Sequence, residues 1–223
     1  MNINNLNMSV TEQFTVLSLL GKDLVKPKKI EFGSNKIYIV SSIFIDLLLE
    51  NKIELDEKQI VVVKDSSITG ITYKDAVIEI LNTKKKKDFK KCIEYFYYHI
   101  VIRDNIYQNV LDEINKKNIL TMIGENYRDS YNVGDFIVQR IRAELLEDGT
   151  IDEDIIYLAL ILDRNNLLMC YFSEYECKSI KDKMSELKSG ELGERIRVIR
   201  KSVLSIEVFS LVSLIFDIVT GLV

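Results

Sequence analysis

The sequence predicts a mainly α-helical fold: a single globular helical domain with a central apolar helix and two small β-hairpins. Apolar residues recur at helical spacing along most of the 223 residues, and this periodicity is the main signal of amphipathic helices. The chain has only one Pro and nine Gly, too few turn residues for a sandwich of many short strands. At 47% hydrophobic residues, it has enough apolar surface for one core. We therefore expect one domain over residues 8–223, preceded by a frayed N-terminus at residues 1–7.

The first two predicted helices start at capping residues. Ser9 and Glu12 have the spacing of a capping box, which predicts a helix over residues 10–20. Ser34 is expected to cap a second helix over residues 34–50. The apolar residues of this second helix cover almost every side of it, and a helix that is apolar all round is normally buried. It is therefore the predicted centre of the fold.

A hairpin and a short helix are predicted next. The β-type runs Ile53–Leu55 and Ile60–Val63 flank four polar residues, which is the pattern of a hairpin with a polar tip. Thr69 and Gly70 then break the chain. Residues 74–81 have helical spacing, so a helix is expected there.

The middle of the chain contains a basic tract, two helices and a second hairpin. Apolar side chains on one face predict helices over residues 88–99 and 104–117. The second hairpin is predicted over residues 119–133, with its turn at Gly124-Glu125-Asn126. The basic tract consists of Lys84, Lys85, Lys86 and Lys87. It is either a solvated loop or a contact for an anionic surface.

The last third of the chain is predicted to be helical. Helices are expected over residues 134–147 and 155–162, the latter preceded by three acids that suit a helix N-terminus. Two or three more helices complete the chain. Residues 204–223 are long enough to span a bilayer, but Glu207 and Asp217 lie inside this stretch. An amphipathic helix docked on the core is therefore expected, with a tail anchor or an interfacial helix as the alternative.

Few residues offer catalytic or metal-binding chemistry. His99 is the only His, which excludes a two-His metal site and leaves a catalytic triad only one base. The chain has no nucleophile elbow, phosphate loop or dinucleotide fingerprint. A calcium-type spacing that starts at Asp148 lacks the required Gly and Glu. Cys92, Cys170 and Cys177 are too few for a disulfide framework and are expected to be reduced thiols. We therefore expect no enzymatic activity, no metal and no cofactor.

Three classes of function remain. The net charge of −4 gives no general attraction to nucleic acid or anionic lipid, so such a contact must be local. The first class is a non-enzymatic binding or adaptor protein, cytoplasmic because no signal-peptide pattern opens the chain. A winged-helix-like DNA-binding regulator is the alternative, although the helix at residues 104–117 carries three acids against only two bases. An enzyme with a carboxylate-lined cleft is the second alternative.

Several stretches occur in a distinctive order. They are Met8–Leu20, Ile45–Ile53, Ser67–Gly70 followed by Asp75–Leu81, Leu111–Leu120 leading into a hairpin, and Asp154–Leu168. In this order and at this spacing, the chain resembles the Golgi phosphoprotein 3 family across residues 8–220. It is similar to a divergent member of bacterial type.

The resemblance implies a mainly helical domain that associates peripherally with the cytosolic face of a membrane, or with a protein partner. The eukaryotic relatives bind phosphatidylinositol 4-phosphate through one Trp and three Arg, and they act as adaptors that retain Golgi enzymes. This chain has no Trp, and the residues at the corresponding positions are Glu31, Phe32, Val40, Asp104 and Tyr107. None of the headgroup residues is carried over. On charge alone, Arg103 and the lysines at 84–87 are the candidates for anion contact.

The resemblance also concerns the second hairpin. In the relatives, an apolar hairpin tip supports self-association and membrane contact. Here the tip is Gly124-Glu125-Asn126, so a weaker apolar contact is expected from this hairpin.

Overall fold

The structure, a computed structural model, describes residues 7–21, 32–85, 87–124, 126–187 and 193–201. Its helices are α1 (Val10–Leu20), α2 (Phe32–Leu49), α3 (Thr72–Thr83), α4 (Phe89–Tyr98), α5 (Ile100–Lys116), α6 (Val133–Leu145), α7 (Glu153–Arg164), α8 (Leu168–Tyr171) and α9 (Glu174–Glu186). Residues 193–201 are also helical. The strands β1 (Ile53–Leu55), β2 (Val61–Val63), β3 (Thr121–Ile123) and β4 (Asn126–Arg128) form two antiparallel two-stranded sheets. The predicted fold class is confirmed.

Helix α1 is buried on every side, although the sequence pattern predicted only one apolar face. It packs against α2, α5, α6 and α7. The capping box is confirmed, since Ser9 Oγ accepts from the N–H of Glu12 and Glu12 Oε2 accepts from the N–H of Ser9. The buried hydroxyls of Thr15 and Ser18 donate to carbonyls of their own helix at 2.7 and 2.9 Å. Their hydrogen bonds allow polar residues to lie in the core.

Helix α2 is buried along most of its length, as predicted, but its start differs from the prediction. It begins at Phe32, so Ser34 lies inside the helix and is not its cap. A serine caps a helix only where its own backbone is extended, and here helical backbone continues past Ser34 towards the N-terminus. The buried hydroxyls of Ser41 and Ser42 donate to carbonyls within the helix.

Helices α4 and α5 are separated by a single residue, which the sequence did not indicate. The backbone N–H of His99 donates to the Tyr95 carbonyl at 3.0 Å, and the His99 carbonyl accepts from the N–H of Arg103 at 3.0 Å. His99 therefore ends one helix and starts the next. The predicted start of α5 at Asp104 was four residues too late, because the sequence offered no capping residue at position 99.

The two hairpins differ in how well the sequence predicted them. In the first, Ile53 pairs with Val63, and the strands match the predicted runs to within one residue. The second is shorter than predicted, with Thr121 opposite Arg128. Ile119 and Leu120 belong to the core and not to a strand, because the chain emerges from the core only after them. The helix predicted over residues 204–223 lies outside the described residues.

Candidate anion-binding surface

The basic tract forms the tight connection between α3 and α4. Lys84 ends α3, and Asp88 caps α4 by accepting a hydrogen bond from the N–H of Lys91 at 2.8 Å. The connection is fixed to the first hairpin, since the N–H of Val61 donates to the Lys87 carbonyl at 2.9 Å. Backbone hydrogen bonds therefore fix Lys84 at the end of α3 and Lys87 beside the first hairpin.

Three lysines of the tract line one crevice, which we call the lysine crevice. Lys84, Lys85 and Lys87 lie at its rim together with Tyr95. Its apolar wall consists of Val61, Ile80, Leu81, Cys92 and Phe96. None of the described residues that line the crevice is acidic. Lys86 lies outside the described residues.

The ring of Tyr95 lies close to the charged groups of two lysines of the crevice. The Nζ atoms of Lys84 and Lys87 lie 5.5 and 5.2 Å from its centroid, within the range of a cation–π contact. Neither these two lysines nor Lys85 forms an ion pair with a carboxylate in the part of the chain that the structure describes. The positive charge at the crevice is therefore not neutralised by a neighbouring acid of the described chain.

The two lysines that follow the tract are different. Lys90 pairs with Glu94 at 3.7 Å and Lys91 pairs with Asp88 at 3.1 Å, both within α4. Their charges are balanced locally, so the candidate anion contact is confined to the crevice and does not extend along α4.

His99 connects the lysine crevice to the start of α5. Its ring stacks on the ring of Tyr95 with centroids 3.9 Å apart. His99 Nδ1 lies 2.7 Å from the Tyr95 carbonyl oxygen; because a carbonyl only accepts, Nδ1 carries the hydrogen. His99 is exposed. The ring contributes to the shape of the junction between α4 and α5.

Beside His99 lies an exposed apolar shelf that sequence reasoning missed. The apolar shelf consists of Tyr98, Ile100 and Val101, whose exposed fractions are 66%, 58% and 74%. The sequence pattern placed Tyr98 in the helix over residues 88–99 and left Ile100 and Val101 between that helix and the next. The sequence did contain a signal for exposed apolar residues. Residues 100–102 are all apolar, and a helix that packs on a core through one face cannot bury all three. The position of the helix break at His99 was needed to see which residues remain exposed.

Comparison with known proteins assigns the chain to a family. A model of the Golgi phosphoprotein 3 (GPP34) family matches residues 26–203. The chain belongs to the Golgi phosphoprotein 3 family. No curated protein matches the chain. The matched region of this family member contains the lysine crevice and the apolar shelf, and it starts after α1.

Arg103, the fifth candidate from the sequence, lies apart from the lysine crevice and is 9% exposed. Its Nη1 donates to the Tyr97 carbonyl at 3.3 Å, and its Nε donates to Asp104 Oδ1 at 3.4 Å. Lys36 of α2 binds the other oxygen of Asp104 at 3.1 Å and lies over the Tyr107 ring. At this surface of the Golgi phosphoprotein 3 family member, the positive charges of Arg103 and Lys36 are therefore both paired with the carboxylate of Asp104.

The second hairpin of this family member exposes apolar side chains just before its turn. Met122 and Ile123 are 62% and 53% exposed, and Gly124 has a φ of +63°, which favours glycine. The turn residues are polar, as the sequence indicated. The apolar residues lie on β3 next to them, a position that the sequence reading assigned to an ordinary strand.

Most carboxylates near the core are occupied by structural contacts. Asp46 is fully buried and accepts from the N–H groups of Val10 and Thr11 at 2.8 and 3.3 Å. Burial raises the pKa of Asp46 to about 6, and Lys74 opposes this shift. Glu12, also buried, binds Lys117. These groups join α1 to α2 and to the end of α5.

A second polar cavity, of about 310 Å³, lies beside Arg140. Its guanidinium binds three carboxylates, those of Glu144, Asp152 and Asp154, at 2.7 to 2.9 Å. Asp152 is the N-cap residue of α7 and Asp154 lies in its first turn, as predicted, although the Asp152 side chain forms no cap hydrogen bond. The described residues contain no group of His, Cys, Asp or Glu that could hold a metal ion.

Cys92, Cys170 and Cys177 are free thiols, and burial raises the pKa of Cys92 to about 12. In the described part of the chain, no helix combines the length and the apolar character needed to cross a bilayer.

Proposed function

We propose that this Golgi phosphoprotein 3 family member is a non-enzymatic binding module. It docks peripherally on the anionic, cytosolic surface of a membrane and acts there as an adaptor. The observation that carries the proposal is the lysine crevice, in which Lys84, Lys85 and Lys87 surround Tyr95 without a neutralising acid among the described residues. Membership of the Golgi phosphoprotein 3 family supports it, because the resemblance implies an adaptor role at membranes for the eukaryotic relatives.

The magnitude of the attraction fits a peripheral, reversible contact. A basic side chain near an anionic membrane surface contributes about 1 kcal/mol. Three lysines therefore contribute about 3 kcal/mol, which corresponds to a roughly hundredfold increase in partitioning. This attraction is screened by salt.

The proposed ligand is an anionic surface in general and not phosphatidylinositol 4-phosphate in particular. Val40 is buried and Asp104 is an acid, so the positions at which the resemblance places headgroup arginines lack positive charge. Arg103 is largely buried and already donates to the Tyr97 carbonyl and to Asp104. We therefore give the lysines the main role and Arg103 a minor one.

Flotation with vesicles tests the proposal. The protein is incubated with phosphatidylcholine vesicles with and without phosphatidylserine at low salt. We expect it to float only with the anionic vesicles, and Lys84→Ala/Lys87→Ala to reduce the bound fraction several-fold. The matched control is Lys58→Ala/Lys178→Ala, which removes the same charge from exposed lysines elsewhere and should bind like the parent.

Two outcomes would overturn the proposal. One is a parent protein that stays unbound to anionic vesicles at low salt. The other is a protein that does not bind vesicles but binds random duplex DNA, seen as a mobility shift that weakens with salt. Such salt sensitivity is expected because phosphate contacts are strongest at low salt. The second outcome would assign the lysine crevice to nucleic acid.

A further inference from the structure

We propose that the apolar shelf of Tyr98, Ile100 and Val101 inserts into the interfacial region of the anionic bilayer while the lysine crevice contacts its headgroups. This inference rests on the proposed function and adds the orientation of the protein on the membrane. It places the α4–α5 junction, rather than the second hairpin alone, at the membrane.

The first argument is the exposure of the shelf. Val101 and Ile100 begin α5 and are 74% and 58% exposed, and Tyr98 beside them is 66% exposed. Single exposed apolar residues are common, but adjacent ones form a patch that indicates a contact surface. Tyr is well suited to a membrane interface because one end of its side chain is apolar and the other is polar.

The second argument is that the shelf is held rigidly beside the lysine crevice. The ring of Tyr95 lies within cation–π distance of Lys84 and Lys87 and also stacks on the ring of His99. His99 directly precedes Ile100 in the chain. The crevice and the shelf are therefore connected through one ring stack, and little ordering entropy is lost when both contact the same surface.

The third argument concerns charge around the shelf. The acids of the same two helices that lie nearest in sequence are Glu94 and Asp104, and each is paired with a lysine, Lys90 and Lys36 respectively. An apolar patch with uncompensated lysines beside it, and with its acids paired, is complementary to an anionic lipid surface. A protein partner is the other occupant that the test separates.

The absence of Trp from the chain makes fluorescence a clean reporter of insertion. Val101→Trp places a single indole on the shelf, and Met169→Trp places one at a residue of α8 that is 75% exposed. With phosphatidylserine-containing vesicles, we expect a blue-shifted emission for Val101→Trp and quenching by lipids brominated near the headgroup. The emission of Met169→Trp should stay unchanged.

Removal of the shelf gives the complementary measurement. Ile100→Ser/Val101→Ser should weaken partitioning onto anionic vesicles by roughly tenfold, because apolar burial is proportional to the area removed from water. Met122→Ser/Ile123→Ser removes a similar pair of exposed apolar residues from the second hairpin. Its partitioning therefore measures any contact of that hairpin with the membrane, separately from the contact of the shelf. Thermal unfolding of each variant by circular dichroism checks that the exposed changes leave the fold intact.

The results distinguish failure of the inference from failure of the proposed function. If the parent does not float with anionic vesicles, the proposed function fails and the inference fails with it. If Val101→Trp floats with anionic vesicles but its emission does not shift, the inference alone is overturned. Flotation of Ile100→Ser/Val101→Ser at the parental level would also overturn it, and would leave the shelf as a contact for a protein partner.

Discussion

The carboxylate of Asp46 accepts a hydrogen bond at 2.8 Å from the backbone N–H of Val10. This bond joins the last turn of α2 to the first residue of α1, 36 residues earlier in the chain. A carboxylate at a helix N-terminus is favourable because it accepts from N–H groups that lack partners within the helix. Burial of the same charge is unfavourable, and the balance between the two terms depends on pH.

The first prediction concerns Asp46→Asn and pH. Burial raises the pKa of Asp46 from 3.8 to about 6, so the folded protein binds this proton more tightly than the unfolded chain. The resulting stabilisation is complete below pH 3.8 and is lost as the pH rises through about 6. Urea unfolding should therefore show the parent losing about 1–3 kcal/mol relative to Asp46→Asn between pH 4 and pH 7.

The control for this prediction is Asp65→Asn. Hydrogen bonds from Lys52 and Ser67 lower the pKa of Asp65 to about 2. The pH dependence of stability is therefore opposite to that of Asp46, and the stabilisation by Asp65 is lost as the pH falls through its depressed pKa. A stability difference between the parent and Asp46→Asn that is constant with pH would contradict the raised pKa of Asp46.

The second prediction concerns Tyr95, the ring shared by Lys84, Lys87 and His99. Tyr95→Ala should lower the fraction bound to anionic vesicles several-fold, because the lysines and His99 lose the surface that positions them. Tyr95→Phe keeps the ring and should bind like the parent. Flotation measures both variants, with Tyr175→Ala, a residue that is 80% exposed, as the control. If Tyr95→Phe reduced the bound fraction as much as Tyr95→Ala does, binding would depend on the hydroxyl of Tyr95 and not on its ring.

The third prediction concerns ionic strength. The screening length falls from about 10 Å at 0.1 M salt to about 3 Å at 1 M. Binding through Lys84, Lys85 and Lys87 should therefore weaken strongly over this range, while the contribution of the apolar shelf should persist. Titration of the bound fraction against salt is the measurement. A salt-independent bound fraction for the parent would remove the lysine crevice from the contact.

The fourth prediction concerns Arg103, which is 9% exposed and binds Tyr97 and Asp104. Arg103→Gln should lower the free energy of unfolding by about 1–3 kcal/mol, because Asp104 loses a charged partner and a buried hydrogen bond is broken. Its effect on vesicle binding should be smaller than that of Lys84→Ala/Lys87→Ala. A larger binding defect, measured with folded protein at the same salt, would give Arg103 the main role.

The sequence predicted local features well where one segment contains all the information. The capping box of Ser9 and Glu12, the strand positions of the first hairpin and the burial of α2 follow from neighbouring residues and from apolar periodicity. Errors arose where packing overrides a local signal. Ser34 was assigned as a cap because of its residue type, and α5 was started four residues late because no capping residue marks His99.

The candidate site was predicted only in part. The positive charge of Lys84–Lys87 is visible in the sequence, but the pairing that neutralises Lys90 and Lys91 depends on helix α4. The inward orientation of Arg103 depends on the Tyr97 carbonyl and Asp104 at the junction of α4 and α5. The apolar shelf was missed because Ile100 and Val101, which begin α5, lay between the two predicted helices.

By itself, the sequence determined the helical class, the order of the elements and the family, since periodicity, caps and motif order are properties of the linear chain. The tertiary structure decided which polar groups are buried and which charges are available for binding. Glu12 forms an ion pair with Lys117, which is 105 residues away in the chain. The carbonyl of Lys87 is held by a backbone hydrogen bond from Val61. Such contacts are decided only when distant segments pack together, because their geometry depends on the whole core.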